Sequence, residues 1–179
     1  MKVIFMWGFN KQKQSNPDGI NLLAAILVCC PEITSVSYDP NTETVSLTFT
    51  LKNPMSQKAF DELANFLGES IAAYQALEGY GETGIDFSMD IQGELGFFHI
   101  KRDLKTISRG EIMLTVSLVK ERCGDTLIMD ATAGERMDPD FRAAQEEVIE
   151  RTLGNVQQIK LADKLVGIRE EDHVVVFNR

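Results

Sequence analysis

The chain has 179 residues, 44% of them hydrophobic and 25% charged, an ordinary globular balance that argues against intrinsic disorder. Its net charge of −9 disfavours nucleic acid and anionic membrane as partners, because both require clustered positive charge. No apolar run reaches the about 20 residues that cross a bilayer, and no segment reads as a signal peptide, so a cytoplasmic location is expected.

The acidity is uneven: residues 1–100 carry five Lys or Arg against twelve Asp or Glu. The three cysteines, Cys29, Cys30 and Cys123, include two neighbours and make no disulfide framework, which fits a reducing compartment. A compact chain of this length buries roughly 70% of its extended surface. It therefore needs neither disulfide nor metal to hold a core. One α+β domain over 1–179 is expected, with 80–84 as the place where it would subdivide.

Val3 to Trp7 is a short apolar run, predicted as a strand buried on both faces. A polar stretch follows from Gly8. Asn16-Pro17 then marks a helix start, with Asn as cap and Pro in the first turn. Ile20, Leu23, Ala24 and Leu27 form one stripe, and Leu22, Ile26 and Val28 widen it until the helix is apolar nearly all round. Such a helix is either deeply buried or meets a partner chain. Pro31 ends it. Ile33–Tyr38 and Thr44–Lys52 read as paired strands around the turn Asp39-Pro40-Asn41. In the second, Val45, Leu47, Phe49 and Leu51 alternate with Ser and Thr. Asn53-Pro54 repeats the cap signal before a helix that carries Phe60, Leu63, Leu67, Ile71, Tyr74 and Leu77. Gly68 suggests a kink or break in it, and Gly79 and Gly81 close it.

Gly84 to Ala133 reads as a meander of four consecutive strands. Ile85, Phe87, Met89 and Ile91 alternate with polar residues, Gly93 allows the turn, and Leu95 to Lys101 runs back. Ile112, Leu114, Val116 and Leu118 give a third strand, and Thr126 to Ala131 a fourth. Asp138-Pro139 opens a further helix with the stripe Phe141, Ala144, Val148 and Thr152. Leu161 to Leu165 reads as a short helix stopped by Gly167, and Val174 to Phe177 as a last strand. The expected class is α+β, with antiparallel meander sheets covered by three main helices. The order helix, strand, turn, strand at 17–52 and again at 54–101 suggests an αββ structural duplication.

Within this acidic chain, the segment 101–110 gathers Lys101, Arg102, Lys105 and Arg109, cations able to hold a phosphate or carboxylate. A solvated loop between two strands is the alternative. Asp130 and Glu135 lie between a strand and a helix, where a carboxylate could move a proton. His99 shares a strand face with Leu95 and Phe97 and could act as a general base. His173 follows Glu170, Glu171 and Asp172, which favour its protonated form and with it could hold a divalent ion. Cys123 falls in a predicted turn beside Arg122 and near Lys120, cations that would lower its pKa. No HExxH, paired CxxC or P-loop spacing is present, so neither a metal nor a cofactor is expected. Two functional classes remain. One is a non-catalytic binding or homo-oligomeric assembly module, suggested by the all-round apolar helix. The other is a small-molecule enzyme or binding domain that holds an anionic ligand at 101–110.

Overall fold

The computed structural model describes residues 2–5, 16–81, 83–129, 137–171 and 173–179. In chain order its elements are β1 (Lys2–Phe5), α1 (Pro17–Cys29), β2 (Ser35–Asp39), β3 (Thr44–Lys52), α2 (Gln57–Leu77), β4 (Ile85–Gln92), β5 (Leu95–Asp103), α3 (Arg109–Cys123), β6 (Leu127–Ile128), α4 (Pro139–Gln157), β7 (Leu165–Glu170) and β8 (His173–Asn178). All described strands join one sheet, in the order β1-β8-β7-β2-β3-β5-β4. The short β6 takes the part of the β3 edge that β2 leaves free: β2 pairs with Thr44–Thr48 and β6 with Thr50 and Leu51. Every pairing is antiparallel except β1 with β8. The protein is α+β, with a predominantly antiparallel sheet and four described helices. Helix followed by hairpin occurs as α1-β2-β3, α2-β4-β5 and α4-β7-β8.

Alternation sorts the strand residues onto two faces. On one, Val36, Leu47 and Ile100 are cross-strand neighbours, as are Phe49 and Phe98. Phe98 has no exposed surface and packs against the rings of Phe49, Phe60 and Phe87 at 6.0–6.4 Å. This face carries α1, α2 and α3. α4 packs on the far side of α1, so α1 lies between the sheet and another helix. That position explains its all-round apolar surface: Leu22 to Cys30 are all buried within this chain. The other sheet face holds Ser35, Ser37, Ser46, Thr48, Thr50, Phe97 and His99 and carries none of the described helices. None of the described helices is long and apolar enough to cross a membrane.

Several local expectations change. Residues 112–119 are helical, not a third meander strand; they form the middle of α3. The α3 side chains in the core are Glu111, Ile112, Thr115, Val116, Val119 and Cys123, a spacing of three and four. Leu161 to Leu165 is not a helix: β7 begins at Leu165. α2 starts after Ser56, whose side chain accepts from the Ala59 amide, rather than at Asn53-Pro54, where Asn53 takes φ +60. Gly68 does not break α2, which is continuous. β1 is an edge strand, and the burial expected for Val3–Trp7 falls on side chains outside the described residues. The fourth meander strand is reduced to β6, and residues 130–136 lie outside the described residues.

Candidate functional site

The four cations of 101–110 do not converge. Lys101 and Arg102 are consecutive in β5 and so point to opposite faces. Lys101 is exposed, whereas Arg102 is 2% exposed. Arg102 Nε donates to Glu111 Oε1, and a terminal nitrogen donates to Glu111 Oε2 at 3.0 Å. The other terminal nitrogen donates to the Gly84 carbonyl at 3.0 Å. Gln75 Nε2 completes the carboxylate at 3.1 Å. This fork ties β5 to α2 and α3 with its polar atoms partnered.

Lys105 and Arg109 also have structural partners. Lys105 Nζ donates to the carbonyls of Gln157 and Ile159 at 3.2 and 2.6 Å, where it meets the negative end of the α4 dipole. Gln157 Nε2 donates back to the carbonyls of Leu104 and Ile107. The segment is thus a docked connector between β5 and α3 rather than a solvated loop between strands. Arg109 donates to Glu146 at 2.9 Å and to Glu150 at 3.2 Å, both on α4. Of the four cations, Arg109 borders a cleft among the helices.

That cleft, about 660 Å³, lies where the C-terminal end of α1, the middle of α3 and the start of α4 meet. Its charged rim holds Glu32, Arg109, Lys120, Arg142 and Glu146. Lys120 lies 3.0 Å from Glu32, and Arg142 3.4 Å from Glu146. With Glu150, which also meets Arg109, three cations face three carboxylates, so the rim is a set of paired charges. Its second lining is sulfur: Cys29, Cys30, Met113, Met129 and Met137. Cys30 Sγ donates to Met113 Sδ at 4.0 Å. Burial pushes the Cys29 thiol up to about 11 and raises Cys30 further, so both are protonated at neutral pH. Arg169 of β7 donates to the carbonyls of Leu27 and Cys30 and so caps the end of α1 that delivers these thiols.

Cys123 belongs elsewhere. It lies in the last turn of α3, not in a turn between strands, and burial raises its pKa. Arg122 sits over the Phe66 ring at 3.8 Å. The thiol therefore lacks the activation expected from its cationic neighbours.

His99 stands on the sheet face that carries none of the described helices. Its Nδ1 is 2.9 Å from Thr48 Oγ1 and its Nε2 3.0 Å from Asp90 Oδ2. Hydroxyl, imidazole and carboxylate stand in series, in the order of a hydrolytic triad. The backbone around Thr48 does not supply the rest. β3 is paired on both edges there, so its amides are engaged in the sheet rather than free to hold an oxyanion. His99 is satisfied by its neighbours, as a structural histidine is. Asp130 and Glu135 lie outside the described residues. His173 Nε2 is 3.4 Å from Glu170. Among the described residues, no three His, Cys, Asp or Glu side chains gather as a metal site would.

Comparisons with protein-family models, with curated proteins and with solved structures find no match to this chain. Sequence pattern points to Arg109 but not to the sulfur wall. The members of that wall come from α1, α3 and the approaches to α4, and no local spacing links them.

Proposed function

We propose that the protein binds a small ligand, without transforming it, in the cleft between α1, α3 and α4. The observation that carries this reading is the cleft's size and lining. About 660 Å³ falls within the range of small-molecule sites. A sulfur-lined wall opposite a rim of three cations suits a compact ligand with one apolar side and one carboxylate or phosphate, which would compete with Glu32, Glu146 and Glu150 for them. Arg109, Arg142 and Lys120 would meet the anionic group. The three described cysteines are free and buried, which is consistent with a reducing, cytoplasmic setting.

Ser117 is exposed and lines the cleft, so a large side chain there would fill it without disturbing the core. A thermal-shift screen of carboxylates, sugar phosphates and nucleotides against the wild type and Ser117→Trp tests the reading. At 100 times its Kd, a ligand adds about 2.7 kcal/mol of stability. The expected result is a compound that raises the wild-type Tm and leaves Ser117→Trp unchanged. A compound that stabilises both equally, or a panel that stabilises neither, overturns it.

A second reading, self-association, draws on the sheet face that carries none of the described helices. There Phe97, Val166, Ile168 and Phe177 are only half-buried. The apolar helix that first suggested a partner is satisfied within the chain.

A further inference from the structure

We propose that the sulfur wall of the cleft is a site for a soft monovalent cation of the copper(I) class, with Cys30 and Met113 as its paired ligands. The inference deepens the binding reading above and uses the same cleft. Thiolate and thioether sulfur select such ions, whereas calcium and magnesium require oxygen. The geometry is already close. Cys30 Sγ and Met113 Sδ are 4.0 Å apart. Two metal–sulfur bonds of about 2.3 Å spanning that gap enclose an angle of about 120°, the trigonal value. Cys29, Met129 and Met137 line the same cleft as sources of a third sulfur.

Charge balance at Cys30 favours a monovalent over a divalent ion. Cys30 is 1% exposed, and an isolated thiolate there would be costly. A thiolate with a monovalent cation is neutral overall. On the Cys30–Met113 pair alone, a divalent ion would leave a net positive charge in the same buried place. Binding releases the Cys30 proton to solvent, forms the metal–thiolate bond, and requires no change in oxidation state. Zinc would find no imidazole, since His99 lies on the opposite sheet face and His173 on β8.

The test is anaerobic titration of the full-length protein with copper(I), using a chromophoric chelator as competitor, and in parallel with silver(I), which does not change oxidation state. One equivalent should be withdrawn from the chelator. Met113→Leu, a volume-conserving change, should weaken binding at least tenfold. Cys30→Ser should abolish it, and Cys123→Ser should not alter it. Circular dichroism confirms that each variant is folded. If Cys30→Ser does not fold, Met113→Leu decides alone. Wild-type affinity in Met113→Leu, loss of binding in Cys123→Ser, or no uptake by the wild type overturns the proposal. Organic ligands that still stabilise the protein in that case would leave the cleft reading standing without the metal.

Discussion

Arg102 and Glu111 show what it takes to keep a charge in a core. Each is 2% exposed, and each meets the other through two hydrogen bonds, with Gly84 and Gln75 taking the remaining polar atoms. Removing one partner leaves an uncompensated buried charge. Arg102→Met or Glu111→Leu alone should therefore cost about 3–5 kcal/mol, while the double variant recovers most of that loss. Urea unfolding of the four proteins checks this double-mutant cycle. Losses that simply add would mean that the pair is not coupled. In the sequence, Arg102 looks like part of a basic patch. Alternation along β5 could separate it from Lys101, but nothing local names Glu111 as its partner.

α3 is the element where two periodicities compete. Ile112, Leu114, Val116 and Leu118 fit a strand, while Ile112, Val116, Val119 and Cys123 fit a helix. Six of the eight residues 112–119 are apolar and satisfy both patterns, so pattern alone does not decide. The cap does: Ser108 accepts from the Glu111 amide at 3.1 Å, the first half of a capping box. The uninterrupted length of 15 residues agrees, since strands seldom run so long. Packing adds a condition at Gly110, where a Cβ would fall on the Tyr74 hydroxyl of α2. Alanine gains about 1 kcal/mol over glycine in an open helix. Here Gly110→Ala should instead lose about 1–3 kcal/mol through overpacking. Adding Tyr74→Phe removes the nearest atom and should restore part of the loss, as measured by thermal unfolding. A more stable Gly110→Ala would show that the two helices have room to move apart.

At the scale of the molecule, the described helices gather on one side of the sheet, and the other holds Ser, Thr, His99, the charged Asp86, Asp90 and Lys101, the buried Val175 and four half-buried apolar side chains. If copies of the chain associate through that face, light scattering at micromolar concentration should give twice the 20.0 kDa chain mass. Ile168→Lys and Phe97→Lys should return it to the monomer value, because a lysine placed in an apolar contact must be desolvated. A wild-type monomer would set self-association aside and leave the cleft reading untouched. The α+β class, the caps Asn16 and Asp138, the hairpins at 33–52 and 85–101, and most of the inward side chains were settled by the sequence, since period and turn chemistry are local properties of the chain. The conformation of 112–119, the internal burial of α1 and the pairing of Arg102 with Glu111 were not. The first turned on the Ser108 cap, a local signal that competes with the strand-like alternation; the others, and the meeting of Cys30 with Met113, join different elements, and only the packing of helices on the sheet brings them together.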